Sequence, residues 1–323
     1  MNAAYPTGSS VPRSAILPSF LNEAGRLRSF APPFRFSAFF SPEDTLLCVC
    51  ASETALVHAH GDHVQVAELT TGSGLIGLRM LEIERDSRLV GLDIDPAAVE
   101  VATHNAEELG FSSRARFECA DLWSDSTIET LRESAPDLII CNPPYVPEPP
   151  GKELELEAGS GPDGTAHLVR TLEIAAEIRP RALSLSWCSL SDPAKVVEHA
   201  RHAGYSLDAL FIVAIADGEY SGSVHEYMQS LPHAYINEQE ETLDAVAPDR
   251  SAAFCYLLMA GSFTRRNSSS IATSRIVETI CERFASEGLS SLAHINSPFK
   301  TTAWMLSRWD ELALRAQLHG TID

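Results

Sequence analysis

Short apolar runs and helix-length amphipathic stretches take turns along most of this chain, and that alternation limits the folds open to it. "VQVAEL" (64–69) leads into the glycine-bearing turn "TTGSG" and a helical pattern, "LIGLRMLEIER". "RLVGLDI" precedes "PAAVEVATHNAEELG", where Pro96 suits a first helical turn and Gly110 a helix end. "ARFECAD" and "DLIIC" follow as strands. Next come the helix "HLVRTLEIAAEI", the strand "ALSLSWC", the helix "PAKVVEHARHAG" and two more strands, "DALFIVAIA" and "AFCYLLMAG". Strands this apolar are buried on both faces, which requires helices on both sides of a mostly parallel sheet. The expectation is an α/β fold with a doubly wound, mostly parallel seven-stranded sheet.

The flanks differ in composition. Residues 1–43 are rich in Pro, Ser and Phe and are expected to be partly disordered, with "FAPPFRFSAFF" packing as an aromatic flap. "DTLLCVCASETALVHAH" opens the main unit, 44–263, as a helix. After it, "SFTRRNSSS" has the composition of a linker. "IATSRIVETICERFASEG" and "TAWMLSRWDELALRAQL" predict two amphipathic helices, a C-terminal appendage over 264–323. A net charge of −20 without a Lys/Arg cluster longer than a pair disfavours a nucleic-acid partner. Seven cysteines without a CxxC pair suit buried, reduced thiols. No apolar run approaches a membrane span and the first twenty residues lack a signal-peptide core, so a cytoplasmic protein is expected.

Three strand ends carry the first chemistry. Glycines 72, 74 and 77 lie between a strand and a helix, where bare backbone and a helix N-terminus can receive a ligand. Glycines also serve tight strand–helix packing, so the turn alone decides little. Asp93, 25 residues after Glu68, ends the second strand and can accept hydrogen bonds from both hydroxyls of a ribose. Asp95 is better explained as a helix N-cap before Pro96. Asp121 ends the third strand, where a carboxylate can accept from an adenine amino group; by itself it would be a solvated turn residue. Together these residues favour a nucleoside site.

The fourth strand ends on "CNPPYVP". Proline fixes φ and lacks an N–H, and the residue before it is pushed to extended geometry, so Asn142 is aimed outward from the strand end. The Asn142 side-chain oxygen and the Pro143 carbonyl then offer two fixed acceptors for the hydrogens of a planar amide or amine, and Tyr145 covers it with a flat face. Holding both hydrogens out of plane frees the nitrogen lone pair for attack on a methyl group. Alignment of this kind supplies about 7–11 kcal/mol of barrier reduction. The other reading is a proline-rich loop leaving a strand. "HAHGDH" (58–63) has the spelling of a dinuclear zinc motif but falls at a helix end without downstream ligands, so no metal is expected.

In this order and spacing, "ELTTGSGLIGL", "GLDIDPAAVEVATHNAEELG", "FECADLW" and "PDLIICNPPYVP" resemble class I S-adenosylmethionine-dependent methyltransferases of the NPPY type. Within that family the chain is most similar to enzymes that methylate glutamine amides of release factors or a ribosomal protein. The resemblance covers about residues 34–262, and "SGPDGTAHL" is similar to the family's stretch after the motif. It implies a Rossmann-like methyltransferase sheet and S-adenosylmethionine as cofactor. It places Glu68, Thr70, Thr71, Gly72, Gly74, Asp93, Ile94, Asp121, Leu122 and Asn142 at the cofactor. Asn142, Pro143 and Tyr145 hold the substrate nitrogen. The implied acceptor is a protein glutamine, with a small-molecule amide or amine, or a nucleic-acid amino group, as alternatives; a non-catalytic nucleoside-binding module is the reading from another class.

The chain departs from the family in places. Thr70 stands where glycine is usual, which is costly if φ is positive there. The family's segment before the first helix is reduced to "SPEDTL", which keeps Asp44 and Thr45 but loses an arginine and an acid.

Overall fold

In chain order the elements are α1 (Pro42–Ala59), β1 (Gln65–Leu69), α2 (Leu75–Ile83), β2 (Arg88–Asp93), α3 (Pro96–Glu108), β3 (Ala115–Cys119), α4 (Asp125–Ser134), β4 (Leu138–Cys141), α5 (Ala166–Ile178), β5 (Ala182–Cys188), α6 (Pro193–His202), β6 (Tyr205–Ala216), α7 (Glu219–Gly222), α8 (His225–Ser230), α9 (Glu240–Val246), β7 (Cys255–Arg265), α10 (Ala272–Glu287), β8 (Lys300–Met305) and α11 (Arg308–His319). The computed structural model describes residues 17–30, 35, 40–59, 61, 63–248, 252–266 and 272–319. Local chemistry sets several helix starts. Asp95 accepts from the Ala97 N–H at 2.9 Å ahead of Pro96, and Ser124 and Asp192 cap α4 and α6 in the same way. Gly110, at φ 74, follows the end of α3.

The sheet has eight strands in the order β3-β2-β1-β4-β5-β7-β6-β8, and only β7 runs antiparallel. The chain leaves β1 to build β2 and β3 on one side and returns to lay β4 on the other. That switch opens a crevice at the carboxyl ends of β1 and β4. Register makes the ends level: Leu69 lies beside both Leu92 and Cys141, so Thr70, Asp93 and Asn142 emerge at the same height. Along β4, Leu138 and Ile140 join the core on one face while Ile139 and Cys141 join the core on the other. Of the seven cysteines, six are buried and Cys119 is exposed.

Three expectations change. The sheet holds eight strands, not seven, because Lys300–Met305 extends its edge beside β6. The helical pattern of "TAWMLSRWDELALRAQL" covers most of that run; Trp304 instead stacks on Phe211, centroids 6.1 Å apart, and the helix starts only at Arg308. The linker composition after Gly261 also misleads, since β7 continues to Arg265 against β5 and β6. Most of the expected flap (31–34 and 36–39), the first sixteen residues and 267–271 lie outside the described residues. Arg35 exchanges two backbone hydrogen bonds with the buried Asn105 amide, at 3.0 and 2.9 Å, and the same amide donates to the Ser73 carbonyl.

Candidate functional site

The glycine turn is built from beneath. Glu68 is 1% exposed; its Oε2 accepts from the Thr71 hydroxyl at 2.6 Å and lies so close under the start of α2 that a Cβ on Gly77 would meet it at 2.7 Å. Oε1 has no partner. Burial pushes the Glu68 carboxyl up to about 7. A carboxyl whose folded pKa exceeds its unfolded value holds its proton more tightly when folded. Its stabilising contribution is therefore full below about 4.5 and is lost as the pH rises through about 7. Urea unfolding from pH 5 to 8 should show native stability falling by about 3 kcal/mol more than that of Glu68→Gln. Parallel curves for the two proteins would contradict this assignment.

Above Glu68 the turn is tied to β2. The Thr71 N–H donates to the Leu92 carbonyl (3.0 Å), the Gly72 N–H to Asp93 Oδ2 (2.8 Å) and the Asp95 N–H to Asp93 Oδ1 (3.0 Å). Asp93 is half-buried, and burial raises its pKa. Gly72 and Gly74 have φ of 52° and 76°. Thr70 has φ 55°, so the β-branched side chain sits in the left-handed region, at a cost on the order of 1–2 kcal/mol. Its hydroxyl donates to the Leu69 carbonyl at 2.5 Å and lies 3.6 Å from Cys141 Sγ, which pins the residue in that conformation.

A cavity of about 690 Å³ lies at these strand ends, a size that suits a small-molecule ligand. Thr70, Thr71, Gly72, Asp93 and Ile94 line it from the first two strands, and Asn142, Pro143 and Tyr145 from the fourth. Ile94 is 48% exposed and offers an apolar surface beside Asp93. Glu68, Gly74, Asp121 and Leu122 do not line the cavity. Asp121 is exposed and caps its own turn, accepting from the Trp123 N–H at 2.9 Å, while Leu122 is buried and its carbonyl accepts from Arg170 Nε at 2.8 Å.

The end of β4 is an unfinished acceptor in a finished frame. Asn142 Oδ1 is buried and accepts from no group among the described residues. The Tyr145 hydroxyl donates to Asp44 Oδ1 at 2.5 Å, and burial raises both groups' pKa values. Behind the prolines, the Val146 N–H donates to the Ala158 carbonyl (2.9 Å) and the Ser160 N–H to the Val146 carbonyl (3.1 Å). Glu148 accepts from the Gly161 N–H at 2.6 Å. The "SGPDGTAHL" stretch is thus the brace of the Asn-Pro-Pro-Tyr turn.

Other cavity residues were not singled out from sequence. Glu43, at the start of α1, takes a hydrogen bond from Arg315 Nη2 at 2.6 Å, and Tyr256 of β7 is buried nearby. His167 packs edge-on to Trp123, centroids 4.9 Å apart, with Nδ1 2.9 Å from Ser160 Oγ; burial lowers its pKa. Glu43 and His167 lie inside quoted motifs and could have been found there. Arg315 carries no sequence signal, because only the fold brings it to the cavity. Within "HAHGDH", His58 and His63 are exposed, and His60 and Asp62 lie outside the described residues. No helix among the described residues is long and apolar enough to cross a membrane.

Residues 51–155 match the family model of the methyltransferase small domain. A release factor glutamine methyltransferase from Rhodospirillum rubrum is 37% identical over 105 residues, 32% of this chain and 30% of that protein. A ribosomal protein uL3 glutamine methyltransferase from Neisseria meningitidis serogroup A is 38% identical over 105 residues, 30% of this chain and 33% of that protein. The chain thus spans about a third of the length of these relatives. The E. cuniculi Mtq2–Trm112 complex, responsible for methylation of the eRF1 translation termination factor, aligns with a TM-score of 0.40 at 16% identity, covering 71% of this chain and 98% of that one; this likeness is too distant to bear on function.

Proposed function

We propose that this chain is an S-adenosylmethionine-dependent N-methyltransferase acting on a planar amide nitrogen, foremost a protein glutamine side chain. The observation that carries the reading is Asn142 Oδ1, a buried acceptor without a donor in the cavity that also holds the glycine turn and Asp93. Leaving such a group unpaired costs about 1–3 kcal/mol, which a substrate N–H would recover.

The residues present fit the cofactor. Asp93 can accept from ribose hydroxyls beyond its two backbone bonds, Ile94 can cover a flat base, and residues 70–73 bring backbone close to the ligand. Bound there, S-adenosylmethionine supplies an electrophilic methyl group on a sulfonium. Asn142 Oδ1 and the Pro143 carbonyl hold the two amide hydrogens and turn the nitrogen lone pair out of conjugation. Both acceptors strengthen as positive charge develops on that nitrogen. The proton becomes acidic only as positive charge develops on the nitrogen and then leaves to solvent water, so no strong base is needed beforehand. Tyr145, fixed by Asp44, covers the amide face. The catalytic unit is proposed at residues 44–263, with Phe40, Ser41, Glu43 and Arg315 from outside it completing the cavity.

Calorimetry with S-adenosylmethionine and S-adenosylhomocysteine tests the first half of this reading, with micromolar binding expected. Absence of binding at high micromolar concentration would overturn it. Labelled-methyl transfer into lysate fractions, followed by mass spectrometry, identifies the acceptor; label on an oxygen or carbon would exclude the amide mechanism.

A further inference from the structure

One wall of the cavity carries a carboxylate whose hydrogen bonding is half complete. Glu43 is 8% exposed; Oε1 accepts from Arg315 Nη2 at 2.6 Å, while Oε2 is buried and has no partner among the described residues. Burial pushes this carboxyl up to about 7 against the opposing pull of Arg315. Arg315 reaches the cavity from α11, far outside the matched residues 51–155. Its Nε donates to Glu311 at 3.2 Å, and its Nη1 donates to nothing among the described residues. Among the described residues the pair therefore leaves one acceptor atom, Glu43 Oε2, and one donor nitrogen, Arg315 Nη1, without a partner. Framing the Pro-Pro turn does not need it, because the neighbouring Asp44 already holds Tyr145.

The matching ligand group offers an N–H and a carbonyl or carboxyl oxygen together. An extended peptide does this at every second residue, whose N–H and C=O point to the same side. Resting on the amide-methyltransferase reading, we propose that Glu43 and Arg315 form a second recognition point for the main chain of a polypeptide acceptor. The acceptor's N–H is placed on Glu43 Oε2 and its carbonyl on Arg315 Nη1. The amino-acid end of the cofactor carries similar groups. The acceptor is favoured because Glu43 adjoins Asp44, which is bonded to the Tyr145 hydroxyl of the turn that holds the substrate nitrogen. The protein thereby selects glutamine within a chain over a bare primary amide.

The test compares a capped Ala-Gln-Ala peptide with propanamide. Peptide binding to protein saturated with S-adenosylhomocysteine is measured by calorimetry, and kcat/KM is measured for both acceptors. In Arg315→Met the peptide Kd should rise at least tenfold, and the peptide-to-propanamide ratio of kcat/KM should fall at least tenfold. Affinity for S-adenosylhomocysteine should stay within twofold, and Arg315→Lys should recover part of the loss. Thermal unfolding of both variants identifies a folding failure, in which case Arg315→Lys and Glu43→Gln carry the comparison. The proposal is overturned if cofactor affinity falls in parallel, if both acceptors lose equally, or if the native protein does not bind the peptide. If the native protein binds the peptide but methylates neither acceptor, the proposed function falls, and the effect of Arg315→Met on peptide binding still decides the role of the pair.

Discussion

Asn142→Ala should lower the methyl-transfer rate by about 10²–10³-fold, the effect of removing one preorganised hydrogen-bonding group from the reacting atoms. The affinity for S-adenosylhomocysteine should change by no more than a few-fold. Two features set this expectation. The side-chain oxygen is buried and unpaired among the described residues, so alanine breaks no hydrogen bond made by that oxygen there. The backbone around it is held independently, by Pro143 and Pro144 and by the Tyr145–Asp44 hydrogen bond, so the turn should keep its shape. Single-turnover transfer measured beside calorimetry separates the two effects. A large loss of cofactor affinity would assign Asn142 to the cofactor, and an unchanged rate would remove it from the chemistry.

Gly164→Ala is expected to damage the same turn from behind. A Cβ at position 164 would lie 2.3 Å from the Tyr145 carbonyl oxygen and 2.9 Å from Ser191 Cβ, and the residue has φ 71°. Backbone oxygen cannot rotate away as a flexible side chain could. Overpacking and left-handed strain together should destabilise the fold by about 2–4 kcal/mol and displace Tyr145 from the amide. Gly110→Ala is the matched control: φ is 74°, but a Cβ there meets nothing within 4 Å. It should carry only the strain, about 1–2 kcal/mol, with full activity. Urea melts and transfer rates of the pair check this. Equal effects at the two positions would mean that the brace does not bear on the turn.

Local chemistry was legible in the sequence wherever the relevant partners are close along the chain. Asp95 and Pro96 start α3 as their residue types dictate, and Gly110 adopts the positive φ that a helix end calls for. The alternation of apolar strands predicted the central sheet because β1, β2, β4, β5 and β7 are buried on both faces. Thr70 is the instructive conflict: its residue type argues against a positive φ, yet it adopts one, with its hydroxyl bonded to the Leu69 carbonyl and in contact with Cys141 Sγ. Lys300–Met305 was lost because a six-residue edge strand, only partly buried, runs almost directly into a longer helical pattern. Glu68 illustrates a different limit. A carboxylate at a strand end can face the ligand or support the turn, and only the packing of α2 over it shows which. Arg315 lay beyond sequence reasoning because its relation to Glu43 is wholly non-local.

That ion pair joins positions 272 apart in the chain, a span that has consequences for how the molecule is made. Emerging from a ribosome, the chain presents the glycine turn and the Asn-Pro-Pro-Tyr turn long before α11. The wall bearing Glu43 stays open until α11 arrives. Closing so long a loop is among the slower events of folding, since its entropy must be lost before the contact forms. A nascent chain can therefore form the glycine-turn side of the cavity well before α11 closes the wall that bears Glu43.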